Sequence, residues 1–237
     1  MSKADSLGDR IKGNYEDRYR FYFPRRTNTI LRIDGRGFHN LVKKIKAEKP
    51  YDVRLMKRMD DTAKFLCENI EGAKIAFVQS DEISILLTDY SSIDTQAWFD
   101  GNLQKIVSVS ASLATAYFNA NTEGMIPALA TFDSRAFIIP DPTEISNYFL
   151  WRKIDWERNS ISMLARSNYS HKELHGKKVS DMHEMLYKKN INWAKMDQSI
   201  KNGRLIVKRM DGWKVIPAQS DRKEFREFIM DYLPKNI

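Results

Sequence analysis

A chain of 237 residues, 42% hydrophobic and 11% aromatic, is long enough to bury a core of its own without staples. Its one cysteine, Cys67, excludes an intrachain disulfide framework or a cysteine-ligated zinc site and fits a reducing compartment; the polar opening MSKADSLGDR and the lack of any apolar run near the roughly 18–20 residues a membrane span requires point to a cytoplasmic protein with no membrane partner. The net charge of +8 is segregated: residues 151–210 hold fourteen Lys and Arg against six Asp and Glu, and the remainder balances, which suits a neutral catalytic part followed by a part that holds a polyanion, or simply a Lys-rich solvated helical surface.

In chain order, a leading helix is expected over residues 6–22, ending at Pro24. TNTILRI (27–33) alternates as a strand. Leu55, Met59, Thr62, Leu66 and Ile70 repeat at helical spacing over 52–70, and Cys67 falls on that apolar side as inert core. Two strands follow, AKIAFVQ (73–79) and EISILLT (82–88), with Ser80 and Asp81 at the bend. A long helix is expected over 95–119, where Leu103, Ile106, Val107, Ser110, Leu113 and Tyr117 share a stripe, and then a strand, ALATFDSRAFIIP (128–140). The order β-α-β-β-α-β is the split-βαβ, ferredoxin-like α+β plan. Asp141 before Pro142 starts a helix over 142–167, another spans 180–190, residues 204–210 and 212–218 form a small hairpin, and 221–233 a closing helix. No linker separates independent domains. Residues 1–140 therefore read as a palm-like core with its leading helix, and 141–237 as a basic, mainly helical part packed on it as one integrated unit.

Two acids stand out in this order. Asp34 lies at the C-terminal end of the first strand, followed by glycines that permit a tight turn, and Asp81 and Glu82 open the third. In a split-βαβ sheet these strands are central, adjacent and antiparallel, so the two aspartates should meet at one edge. Like charges there call for a hard cation with oxygen ligands, as in two-metal nucleotidyl transfer. Alone, an Asp-Gly pair is a turn and Ser-Asp-Glu a polar bend; the βαββαβ placement favours the metal reading. Glu82 should point away from the face of Asp81. Arg36, Gly37, Phe38 and His39 offer backbone N–H groups to phosphate at a turn, and Lys49 could reach a triphosphate, or be a solvated lysine.

Arg32-Ile33-Asp34-Gly35-Arg36-Gly37-Phe38-His39, Lys49-Pro50, Gln79-Ser80-Asp81-Glu82 and Phe132-Asp133-Ser134-Arg135 together resemble the tRNA-His guanylyltransferase family of 3′-to-5′ polymerases, strongly over residues 8–165. The resemblance implies a polymerase- and cyclase-type palm, two Mg²⁺ ions held by the side chains of Asp34 and Asp81 and the carbonyl of Gly35, ATP, GTP or other nucleoside triphosphates bound by Arg36 to His39, Lys49 and Ser80, tRNA as partner, and a homotetramer. The chemistry it implies is activation of an RNA 5′ end by ATP, then attack by the 3′-hydroxyl of an incoming nucleotide. RNA contacts are expected at Arg135, Arg152, Lys153, Asn159, Lys177 and Lys178. Where eukaryotic members carry His-Ile-Asn-Asn-Leu-Tyr-Asn, this chain has Glu157-Arg158-Asn159-Ser160-Ile161-Ser162-Met163, so it looks like the branch that repairs 5′-truncated tRNA by templated addition. On this reading Glu157 repels nearby RNA phosphates. Guanylylation of tRNA-His is the alternative within the same chemistry; a nucleotide cyclase would need no basic half, and an RNA-binding module would leave both aspartates without a purpose.

Overall fold

The computed structural model describes residues 6–120 and 129–234. Six antiparallel strands form one sheet, β1 (Asn28–Arg36), β2 (Ala73–Gln79), β3 (Glu82–Thr88), β4 (Thr131–Ile138), β5 (Arg204–Arg209) and β6 (Gly212–Pro217), in the order β4-β1-β3-β2-β5-β6. The first four reproduce the split-βαβ plan with β1 and β3 central. The expected small hairpin is β5 and β6, and it continues the palm sheet, because Arg204 to Val207 pair with β2. The helices among the described residues are α1 (Leu7–Ile11), α2 (Phe38–Lys44), α3 (Val53–Asn69), α4 (Leu103–Ala120), α5 (Pro142–Asn168), α6 (His171–Leu174), α7 (Val179–Lys188), α8 (Gln198–Asn202) and α9 (Arg222–Met230).

Alternation along β1 divides the core. Leu31 and Ile33 join Met59, Ala63 and Leu66 of α3 and Ile106, Ala114 and Phe118 of α4. Ile30 turns to the other face, where Phe149 of α5 and Phe225 and Ile229 of α9 cover Phe77 and Leu86. A third cluster, Ile161, Leu164, Leu174 and Leu186, holds the end of α5 to α6 and α7. Asp52 caps α3 by accepting from the N–H groups of Arg54 and Leu55. Asp141 caps α5 from Glu144 with Pro142 in the first turn, the start signal read from the sequence.

Four expectations need correction. The leading helix is short: after α1 the chain passes through a π turn (Lys12–Glu16) and a 3₁₀ turn (Asp17–Tyr19), and none of these residues is buried. Leu7, Ile11, Tyr15 and Tyr19 recur every four residues and are all exposed, and helices this short need tertiary contact to stay regular. The helix expected from residue 95 begins at Leu103, because Phe99 and Asp100 have φ of +50° and +53° in the turn before it. β1 runs on to Arg36, which places Asp34 inside the strand. The strand expected over 128–140 is β4, shorter at both ends, and Ala128 lies outside the described residues.

Candidate functional site

β1 and the β2–β3 turn build one edge of the sheet. Asp34 lies opposite Glu82 of β3 and Asp133 of β4 in the strand registers, so three carboxylates stand side by side on the face covered by α5. Asp81 follows Ser80, whose φ of +46° closes the two-residue turn, and the Gly35 N–H donates to the Asp81 carbonyl at 2.9 Å. Topology thus brings Asp34 and Asp81 together. Gly35 is required sterically: a Cβ there would lie 2.4 Å from the Phe38 ring and 2.9 Å from Asp81 Cβ.

The edge is acidic and under electrostatic stress. Partial burial, then Asp81, Glu82 and Asp133, raise the Asp34 carboxyl above its ordinary value, with Arg32 opposing. Burial raises Asp81 likewise, with Glu82 adding to it and the Ser80 hydroxyl working against it. Such a pair gains by taking up a cation. No group of three or more His, Cys, Asp or Glu side chains among the described residues is arranged to hold a metal by itself. Two carboxylates and the Gly35 carbonyl are nonetheless an oxygen-only donor set, which suits an ion such as Mg²⁺ that keeps waters and takes further oxygens from a bound phosphate. Glu82 is occupied elsewhere: its oxygens accept from Arg152 Nε and Nη2, both at 2.7 Å, and from Gln79 Nε2 at 3.2 Å.

Between this edge and α5 lies a cleft of about 420 Å³. Asp34, Ser80 and Asp81 line one side, and Asp155, Asn159, Ser162, Met163 and Arg166 of α5 the other. Of the anticipated residues, the cleft gathers Asp34, Ser80, Asp81, Arg152 and Asn159. Arg36 to His39 and Lys49 are not part of its lining. Gly37, at φ +66°, opens α2; Arg36, His39 and Lys49 are exposed; Phe38 is buried edge-on against Phe118 and Phe132, so only its backbone could meet a phosphate. Lys177 and Lys178 are exposed just before α7. Arg135 is exposed beside Asp133 at 3.8 Å.

Burial corrects the reading of Arg152 and Lys153 as an RNA surface. Lys153 has no exposure, and its ammonium pairs with Glu157 and donates to the Ser220 carbonyl at 3.4 Å. Arg152 is spent on Glu82 and on Asp155 at 3.1 Å. Glu157 is paired with Lys153 and with Arg222 at 3.3 Å, so its charge is balanced within the fold, and it is not part of the cleft lining. Ser160 is buried; its Oγ accepts from Trp193 Nε1 at 3.0 Å and its carbonyl from the Tyr51 hydroxyl at 2.6 Å. Sequence reading missed Asp155, Arg166, Asp133 and Arg32. The first two share a helix face with Asn159 at spacings of four and seven, a signal present in the sequence. Arg32 has a buried, unpartnered Nε and sits opposite Arg135 in register, one row from Asp34, which only the strand pairing reveals.

No helix among the described residues is long and apolar enough to cross a membrane. A family model described as tRNAHis guanylyltransferase (Thg1) matches residues 9–140. A solved bacterial tRNA(His) guanylyltransferase (Thg1)-like protein in complex with ATP is similar over 96% of this chain and 99% of its own, with 44% identity and a TM-score of 0.89. One in complex with GTP has 41% identity and a TM-score of 0.83, with the same coverage. The tRNA(His) guanylyltransferase of Debaryomyces hansenii is 29% identical over 203 residues, 78% of this chain and 75% of that protein.

Proposed function

The chain belongs to the tRNAHis guanylyltransferase family and is a nucleotidyltransferase, and from that premise we propose that it restores nucleotides missing from the 5′ end of truncated tRNA, in the 3′-to-5′ direction and under the direction of the opposing template base. The observation that carries this reading is the meeting of Asp34 and Asp81 at one edge of the cleft that faces α5. Asp34, Asp81 and the Gly35 carbonyl would hold two Mg²⁺ ions, which neutralise phosphate charge and lower the cost of deprotonating an attacking hydroxyl. The chain's own part is positioning. ATP activates the RNA 5′ end, its α-phosphorus being attacked by the 5′ phosphate with loss of pyrophosphate, as the complexes of the bacterial relatives with ATP and with GTP make reasonable, and the 3′-hydroxyl of the incoming nucleotide then attacks the activated 5′ phosphorus in line, losing its proton and expelling AMP. Both steps need charge balanced at the same edge, so one carboxylate pair serves both.

Phosphates need cations that the protein has not already spent. The Arg32 side chain makes no hydrogen bond or ion pair among the described residues and has a buried, unpartnered Nε, and Arg135 beside it is exposed with only a 3.8 Å approach to Asp133, so this pair is suited to a phosphate next to the acidic row. Lys49, Arg36, His39 and the first N–H groups of α2 are assigned to the triphosphate, and Lys177, Lys178, Arg166 and Asn159 to the tRNA. A homotetramer in the cytoplasm completes the reading.

The relatives named tRNA(His) guanylyltransferase favour a second reading, addition of a single G to tRNA-His. One experiment separates them: labelled nucleotides are supplied with truncated tRNAs that share an acceptor stem and differ in anticodon, and the template base opposite the gap is exchanged. Incorporation that follows the template on every anticodon supports repair. G addition that ignores the template, or strict dependence on the His anticodon, overturns repair in favour of the second reading.

A further inference from the structure

The strand register alone would give the site three acidic ligands. Glu82 follows Asp81 directly and is the cross-strand partner of Asp34, and directly opposed side chains lie within about 5 Å on the same face. It lines the same cleft as both aspartates. We infer that Arg152 is a positioning residue that withholds Glu82 from the metal site, leaving Asp34 and Asp81 as its two carboxylate ligands. This rests on the reading of Asp34 and Asp81 as metal ligands.

The geometry of the pair is that of a clamp. Arg152 Nε and Nη2 each meet one carboxylate oxygen of Glu82 at 2.7 Å, the bidentate fork that a guanidinium forms best. Both residues are over nine-tenths buried. Gln79 Nε2 and Ser84 Oγ approach the same Glu82 oxygen at 3.2 and 3.5 Å, so little of the carboxylate is left for a cation. The guanidinium is itself fixed from two further sides: Nη2 reaches Asp155 at 3.1 Å, and the Trp151 ring lies 4.4 Å away. Despite its burial, Arg152 is held charged by Glu82.

The withheld carboxylate matters because the affinity of a hard cation rises with the number of anionic ligands. Mg²⁺ that works on phosphates is usually held by one or two carboxylates and by the substrate itself. A third carboxylate would retain an ion before any triphosphate arrived and would leave fewer positions for phosphate oxygens. A clamp on Glu82 therefore makes metal occupancy depend on the nucleotide.

The test is Mn²⁺ binding to nucleotide-free protein, followed by electron paramagnetic resonance, with the Mn²⁺-dependent rise in melting temperature as second readout. Arg152→Met should bind Mn²⁺ about tenfold more tightly than wild type and gain more thermal protection from it. Arg152→Lys keeps the charge but cannot grip both oxygens, so it preserves the fold for measurement and tightens binding less. Glu82→Gln should leave Mn²⁺ affinity within about twofold of wild type, since a withheld residue contributes nothing, and the double variant Glu82→Gln/Arg152→Met should return to wild type. Weaker Mn²⁺ binding in Glu82→Gln would show Glu82 to be a ligand, and unchanged binding in both Arg152 variants would reduce the pair to a structural salt bridge; either result overturns the inference. Failure of the underlying reading looks different, because then Asp34→Ala would bind Mn²⁺ as well as wild type.

Discussion

The two walls of the cleft handle charge in opposite ways. On the sheet side Asp34 and Asp81 stand at one end of the strands with no cation bonded to either among the described residues, and both carboxyls are pushed above the ordinary value by burial, with Asp81 and Glu82 adding to it at Asp34 and Glu82 at Asp81. On α5 the buried cations have protein partners, Arg152 with Glu82 and Asp155 and Lys153 with Glu157, while Arg166 on the cleft side is exposed. The lesson concerns net charge. A basic segment counted along the sequence overstates what it offers a polyanion, because buried cations spend their charge internally. The proposed reading leaves to RNA the exposed set, including Lys177 and Lys178, and to the metal ions the strained acids of the sheet.

The largest effect should come from removing that strain where it serves function. Asp34→Ala and Asp81→Ala are each expected to lower both 5′ activation and nucleotide addition by on the order of 10³-fold, with the circular dichroism of the fold unchanged. Retention of near-normal turnover in magnesium by either variant would break the contrast, making the acidic wall a bystander.

The basic side supplies the next test. Lys177→Ala/Lys178→Ala should weaken tRNA binding and flatten the dependence of log Kd on log salt by about one unit per lost phosphate contact. Lys153→Met should leave that slope alone and lower the melting temperature instead, since Glu157 then keeps only Arg222. If the slope responded to Lys153 and not to the exposed pair, burial would be the wrong guide to which cations meet RNA.

A smaller effect should appear in stability alone. With Asp34 raised in the folded state, folded protein binds a proton more readily than unfolded chain, so stability contributed by this group falls as pH rises. Asp34→Asn should therefore melt at or above the wild-type temperature at neutral pH in chelator, and the difference should shrink as pH falls through the raised carboxyl range. A lower melting temperature for the variant at neutral pH would show that the acids are relieved by contacts within the fold.

The sheet wall was legible in sequence because its causes are local. Alternation marked β1, apolar spacing marked β2 and β3, and the topology of four short elements brought Asp34 to Asp81. What local pattern could not show was pairing at a distance: β5 joins β2 across more than a hundred residues, and nothing within 204–217 states which strand it will meet. The burial of Arg152 and Lys153 was legible in principle. They lie between Phe149 and Trp156 on the buried stripe of α5, and a charge on an apolar stripe is a candidate for a partner. Reading them by charge alone sent them to the wrong surface. The short helix α2 was missed because only Phe38 and Leu41 are buried in it, one turn of periodicity in a basic stretch.

The finest test lies where the two walls are joined. Tyr51 follows Lys49 by two residues and donates its hydroxyl to the carbonyl of Ser160 in α5, while Trp193, from the segment beyond α7, donates to the hydroxyl of the same serine. Burial pushes the Tyr51 phenol above its ordinary value, with the bond to Ser160 working against it. Ser160 thus ties the loop that carries Lys49 to the helix that lines the cleft. Tyr51→Phe removes one hydrogen bond and keeps the ring against Trp156, which should cost about 1 kcal/mol and lower the melting temperature by roughly 2–4 °C for a chain of this size. If the tie also positions Lys49, KM for the triphosphate should rise by a small factor with kcat little changed, and by less than in Lys49→Ala, for which loss of a phosphate contact worth about 1.4 kcal/mol is tenfold. A fall in melting temperature with KM unmoved would confine Tyr51 to holding the fold and leave Lys49 to be placed by its own loop.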